Sequence, residues 1–269
     1  MNSTYKMSYT CLVLGEFGVG KSSFINAITK KNECVVGHNI EPTTKEYKGI
    51  QTSYNGNNYI FIDTPGLNTS DSDDSNMIEI QNAILKYPQF RCILILLKFD
   101  ELKLSDKIVK LLVNLIKCIP VKYFWEHVLL IRTHANTSDK KFAKKKEKVA
   151  GAILKFAEDL CYYDDEHFLK EILIPENIEE FYVDCENDDN PDDRFTDNKE
   201  EFKKIFDTIK RYPMMFNKIT SDTWKDQYKK DGHYVKRTIR FLCKDNKEII
   251  DGPRIIQSWE YLNCLKDVY

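Results

Sequence analysis

Apolar positions recur along this chain in two rhythms that take turns. Tyr9 to Leu14 is a nearly continuous apolar run of strand length, and Cys92 to Leu97 is wholly apolar between Arg91 and Lys98, which suits a central parallel strand buried on both faces. His127 to Arg132 and Glu180 to Val183 read as further strands. Tyr47 to Ser53 and Tyr59 to Ile62 are strand-like and are joined through Tyr54-Asn55-Gly56-Asn57-Asn58. Asn-Gly there signals a hairpin, so one edge of the sheet is antiparallel. The second rhythm is helical. Phe24, Ile25, Ala27 and Ile28 show it, as do Ile108, Leu111, Leu112, Leu115, Ile116 and Ile119 after a capping Ser105, and Phe202, Ile205, Phe206, Ile209 and Tyr212 before Pro213. Helices are also expected from Met77 to Tyr87 and, as one long element, from Lys140 to Leu160.

Strand and helix thus alternate from Tyr9 to Tyr212. That order predicts a doubly wound, mostly parallel α/β sheet, which binds ligands at the carboxyl ends of its strands. Polar, irregular segments interrupt the alternation: Lys30 to Lys45 after the first helix, Leu67 to Ser75, and the acidic stretch from Asp184 through Asp193. Past Pro213 the pattern changes. Trp224 to Lys230 is polar, and Tyr234 to Cys243, Glu248 to Ile250 and Arg254 to Leu262 read as short strands. Residues 8–213 are therefore read as one α/β domain and 214–269 as a small β-rich C-terminal appendage.

Composition narrows the partners. With 40 basic and 42 acidic residues in 269 the net charge is -2, so nothing global favours nucleic acid, and none is expected as a partner. The eight cysteines are scattered without metal-ligand spacing, which suits a reduced, cytoplasmic setting. No apolar run approaches the roughly 20 residues of a membrane span, and Asn2 and the Leu265-Lys266-Asp267-Val268-Tyr269 end carry no lipidation signal. Any membrane association would be peripheral, on an internal membrane. One local excess of charge stands out: Lys140, Lys141, Lys144, Lys145, Lys146 and Lys148 crowd one helix start, as a solvated face or a surface for phosphate-rich partners.

The chemistry gathers on Gly15-Glu16-Phe17-Gly18-Val19-Gly20-Lys21-Ser22-Ser23, in which a glycine is followed after four residues by Gly-Lys-Ser. Set between a strand and a helix, this is a phosphate-binding loop. Its backbone N–H groups can turn inward around phosphates at the positive end of the helix dipole. Lys21 would reach the terminal phosphates, and Ser22 would give its hydroxyl oxygen to Mg²⁺. A hydroxyl from Thr44, or else Thr43, is placed to meet the γ-phosphate and the metal. Asp63 at a strand end can hold Mg²⁺ through a water, and the Gly66 N–H can meet the γ-phosphate.

Taken in order, Gly15–Ser22, Thr43–Thr44, Asp63-Thr64-Pro65-Gly66, Thr133-His134-Ala135-Asn136 and Glu186-Asn187 have the spacing of the nucleotide boxes of a small GTPase. The chain resembles the immunity-associated (GIMAP, or AIG-type) GTPases, with the chloroplast import GTPases of the Toc group as relatives. The resemblance rests on the loop, Thr44-Lys45, Phe61 to Gly66, Leu96 to Leu115 and the variant box at Thr133-His134. It covers roughly Ser8 through Pro213. It implies a six-stranded Ras-like P-loop GTPase sheet with one antiparallel edge strand, GTP and GDP with Mg²⁺ as ligands, and a homodimer across the nucleotide face.

Base reading departs from the usual box. The fourth position is Asn136, whose amide offers one acceptor oxygen where an aspartate would accept two hydrogen bonds from guanine. His134 can lie against the purine, and Glu186, followed by Asn187, supplies a carboxylate for the guanine ring N–H and amine. Catalysis departs too. Leu67 follows the third box where many relatives carry a water-orienting glutamine, so turnover rests on Lys21, Thr44 and Gly66 and is expected to be slow. A group supplied in trans would speed it, and Lys103 occupies what looks like the position from which some GIMAP-like proteins present an arginine. The expected function is a GTP-binding switch with slow Mg²⁺-dependent hydrolysis activated by dimerisation; the alternative is a non-hydrolysing GTP-bound scaffold. A P-loop kinase would want a lid of several arginines, and only Arg132 and Arg194 flank the predicted site.

Overall fold

The structure is a computed structural model. It describes residues 8–36, 47–64, 80, 83, 86–87, 90–101, 105–118, 123–136, 139–149, 151, 154–158, 173–185, 191–215, 218–228, 232–242 and 255–262. Its main sheet has six strands: β1 (Ser8–Gly15), β2 (Lys48–Tyr54), β3 (Asn57–Asp63), β4 (Phe90–Lys98), β5 (Val128–Thr133) and β6 (Glu180–Tyr182). Their spatial order is β2-β3-β1-β4-β5-β6. All pairings are parallel except that of β2 with β3. The hairpin between those two turns at Asn55 and Gly56, whose φ values of 46° and 77° are the pair a two-residue type I′ turn needs.

Alternation along β1 and β4 sorts side chains into two cores. Leu12, Leu14, Ile93, Ile95 and Leu97 face one side, where Ile108, Leu111, Leu112, Leu115 and Ile116 of α2 (Asp106–Cys118) cover them. Cys11, Val13, Cys92, Leu94 and Leu96 face the other, under Phe24, Ile25 and Ile28 of α1 (Lys21–Thr29) and Phe202, Ile205, Phe206 and Ile209 of α5 (Lys199–Arg211). Each such side chain contributes about 1.5–3 kcal/mol of transfer free energy, which makes the two covered faces the main source of stability. The paired cysteines Cys11 and Cys92 lie in register with Sγ atoms 3.4 Å apart, and both are free thiols. The expected α/β sheet with one antiparallel edge strand is the one observed.

Two expectations are corrected. The helix predicted over Lys140 to Leu160 is interrupted: α3 ends at Val149 (Phe142–Val149), Gly151 turns the chain with φ 73°, and helical residues resume at 154–158. Only a residue without Cβ adopts that φ cheaply, so the apolar spacing spans a break it does not register. The polar segment Trp224 to Lys230 is also largely strand, in a second, three-stranded antiparallel sheet of β7 (Lys218–Tyr228), β8 (Gly232–Leu242) and β9 (Ile255–Leu262). Glu248 to Ile250 lies outside the described residues. Ile80, Ala83 and Lys86 are helical where Met77 to Tyr87 was expected to be. A short α4 (Pro191–Asp197) precedes α5.

Candidate functional site

The β1–α1 turn wraps back over the ends of β4 and β5. A Cβ on Gly15 would meet the Leu96 carbonyl and Val19 Cγ1 at 2.8 Å, so only glycine lets β1 pass this close. Gly20 caps α1 with φ 93°, and no side chain caps that helix end. Its first turn of N–H groups therefore stays directed toward the loop, with the positive end of the dipole behind it. Lys21 is 7 % exposed, and its Nζ donates to the Gly15 and Glu16 carbonyls at 3.1 and 3.0 Å. Burial pulls its amine down to about 8, against the pull of Asp63 and Glu16 in the other direction. A buried ammonium of this kind gains most from an anion brought to it.

At the end of β3, the buried Asp63 accepts a hydrogen bond on Oδ2 from Ser22 Oγ at 3.0 Å. A hydroxyl oxygen and a carboxylate side by side are the hard oxygen donors Mg²⁺ prefers, so these two residues fit the metal. Next to it, Thr64 Oγ1 donates to the Val13 carbonyl at 2.7 Å, fixing the β3 end against β1.

From β5, Thr133 Oγ1 donates to the Val19 carbonyl at 2.7 Å and lies 3.3 Å from that of Leu97. His134 follows in the left-handed region, φ 55°, with its Nε2 3.7 Å from where a Cβ on Gly20 would stand. The Ala135 N–H to Val183 carbonyl bond and the Val183 N–H to Arg132 carbonyl bond stitch this loop to the chain leaving β6. The structure thus brings Gly15 to Ser23, Asp63, Thr133 and His134 together at the carboxyl ends of the strands, with Asn136 exposed beside them. Thr43, Thr44, Gly66, Leu67, Lys103, Glu186 and Asn187 lie outside the described residues.

Several residues that sequence reading passed over organise the site. Asn26 is buried in α1 and bonds both backbone groups of Cys34, Nδ2 to the carbonyl at 2.8 Å and Oδ1 from the N–H at 2.9 Å. Asn198 does the same to Asp184, at 2.7 and 2.9 Å, just before the Glu186-Asn187 segment. Both amides fix the backbone at a point shortly before, in sequence, a predicted site segment, Thr43–Thr44 in one case and Glu186-Asn187 in the other. An Asn within an apolar helical run, and an Asn just before a helical one, were the available signals. Arg132, expected to flank the site, points elsewhere: it is fully buried, donating to the Glu101 and Val149 carbonyls at 2.9 and 3.2 Å, with Glu180 at 3.9 Å. Among the described residues no cluster of His, Cys, Asp and Glu could hold a further metal, and no helix is long and apolar enough to cross a membrane.

Residues 10–124 match the family described as 50S ribosome-binding GTPase. The chain carries a P-loop GTPase domain. It is 28% identical over 145 residues to the translocase of chloroplast 126 of Physcomitrium patens, which is 51% of this chain but 12% of that relative's length. Among solved structures, Toc33 from Arabidopsis thaliana in complex with GDP and Mg²⁺ shares the fold with a TM-score of 0.55 and 20% identity, over 75% of this chain and 82% of that one. A structure described under the statement that dimerisation is important for the GTPase activity of the chloroplast translocon components atToc33 and psToc159 matches with a TM-score of 0.52 and 19% identity, over 68% and 74%.

Proposed function

We propose that this chain is a guanine-nucleotide switch that hydrolyses GTP slowly with Mg²⁺ and is activated by dimerisation across its nucleotide face. The observation that carries the reading is the convergence of Lys21, the Ser22–Asp63 pair and Thr133 on one glycine-bounded loop. Lys21 would exchange two carbonyl partners for phosphate oxygens. Ser22 directly, and Asp63 through a water, would hold Mg²⁺, which when bound neutralises charge on the phosphates. Thr44 and the Gly66 N–H would add contacts to the γ-phosphate, and their loss after hydrolysis would relax both segments.

Base selection in this reading is shared by His134 and Glu186, with Asn187 adjoining. Glu186→Ala is expected to reduce the preference for GTP over ATP, measured by competition against a fluorescent guanine nucleotide; an unchanged preference would remove Glu186 from the role. The finer family assignment, to the immunity-associated GTPases with a G domain over 8–213 and an appendage over 214–269, is supported by the Toc-like relatives and by the variant Thr133-His134 box. A peripheral position on an internal membrane belongs to the same reading.

Leu67 cannot orient water, so the missing help must come in trans, with Lys103 as the candidate on this chain. The dimerisation described for the chloroplast components supports this. Single-turnover hydrolysis at low and high protein concentration tests it. A rate that rises with concentration is expected. Hydrolysis independent of concentration removes the dimer, and none at either concentration makes the chain a GTP-bound scaffold.

A further inference from the structure

An acidic side chain within a phosphate-binding loop is electrostatically out of place. Glu16 is the loop's second residue, and its own carbonyl accepts from Lys21 Nζ at 3.0 Å. A carboxylate free to swing from that position toward bound phosphates would repel them in a site where screening by water is poor. The structure shows where it goes instead. Glu16 Oε1 accepts a hydrogen bond from Ser105 Oγ, across 89 residues of sequence. The same hydroxyl oxygen faces the Ile108 N–H at 3.3 Å, the geometry of a cap on α2. One hydroxyl therefore donates to the carboxylate and accepts from the helix, and the carboxylate rests beside the amino end of α2, where the helix dipole favours negative charge.

We propose that Ser105 is a positioning residue that, with the amino end of α2, holds the Glu16 carboxylate out of the phosphate cradle, so that phosphate affinity depends on a side chain far from the loop in sequence. The inference rests on the nucleotide-binding part of the proposed function. It needs neither hydrolysis nor a dimer. It also gives the loop between β4 and α2 a means of acting on phosphate binding, because whatever draws Ser105 away frees a negative charge beside the nucleotide.

A charge-swap cycle tests it. Fluorescent GDP and a non-hydrolysable GTP analogue, each with Mg²⁺, are titrated against wild type, Ser105→Ala, Glu16→Gln and the double variant. Ser105→Ala is expected to weaken the GTP analogue about tenfold, or about 1.4 kcal/mol, and GDP by less because it carries less charge. Glu16→Gln is the reference for the double variant: with the charge gone, removing the Ser105 hydroxyl should change affinity by less than about twofold. Raised salt should shrink the Ser105→Ala deficit, since the freed carboxylate is screened. Should Ser105→Ala not fold, Ser105→Gly caps a helix nearly as well without a hydroxyl and is expected to show the same weakening. Unchanged affinity in the Ser105 variant, or a Ser105→Ala loss as large in the Glu16→Gln background as in wild type, overturns the inference and leaves Ser105 only a helix cap. A wild-type chain that binds neither nucleotide overturns the proposed function itself.

Discussion

Thr133 shows how one side chain in this site can be structural and functional together. Its hydroxyl has a single proton, and the near acceptor is the Val19 carbonyl at 2.7 Å, so the residue braces the phosphate loop from β5. Thr133→Val keeps the shape and removes the donor, leaving a buried carbonyl without it. The expected cost is about 1–3 kcal/mol of stability, read by denaturant unfolding, together with weaker nucleotide binding. Thr133→Ser, which keeps the hydroxyl, should recover most of both; equal loss in the two variants would assign the effect to packing of the methyl group instead. His134 carries strain at the same corner, since a φ of 55° is uncommon outside glycine and, among other residues, is tolerated best by Asn, Asp and His. The Ala135 N–H to Val183 bond holds it there and keeps the ring by Gly20.

At the scale of elements, legibility in the sequence followed burial. β1 and β4 are apolar on both faces because helices cover both, so their runs are continuous and hard to mistake. The hairpin declared itself through Asn55-Gly56, and α2 through a serine start and a strict apolar stripe. The phosphate loop was legible because phosphate binding fixes the spacing of backbone, lysine and hydroxyl within one short segment. What escaped was set by partners distant in the chain. Asn26 and Asn198 act on the backbone of Cys34 and Asp184, eight and fourteen residues away, and amides have no spacing rule for that. Arg132 ends an apolar run beside the Thr133-His134 box, which placed it at the flank of the predicted site. Its guanidinium instead satisfies the carbonyls at Glu101 and at the end of α3. The break at Gly151 was hidden because the apolar spacing runs on across it, although Phe142 and Val149 pack in one cluster and Leu154, Phe156 and Ala157 in another; β7 was hidden because its sequence, KITSDTWKDQY, is polar enough to pass for a loop.

For the whole molecule, the site lies where the two cores meet at the strand ends. The phosphate loop belongs to β1 and α1, Asp63 to β3, and Thr133 to β5, so a nucleotide held by all of them joins elements packed on both faces of the sheet. A ligand that binds only the folded chain stabilises it by RT ln(1 + [L]/Kd), about 2.7 kcal/mol at a hundredfold excess over Kd. For a chain of 269 residues that corresponds to a rise in Tm of about 5–10 °C. The expected order is GTP analogue with Mg²⁺ above GDP with Mg²⁺, and both above the same nucleotides in chelator, because in the proposed site Ser22 and Asp63 act through the metal. ATP should give a smaller shift at the same concentration. Melting followed by circular dichroism, with Asp63→Ala alongside, separates the terms: Asp63→Ala should keep a shift in chelator and lose the increment that Mg²⁺ adds. An Asp63→Ala chain that still gains the full increment would move the metal away from the end of β3, while equal shifts with GTP and ATP would show that the loop is read and the base is not.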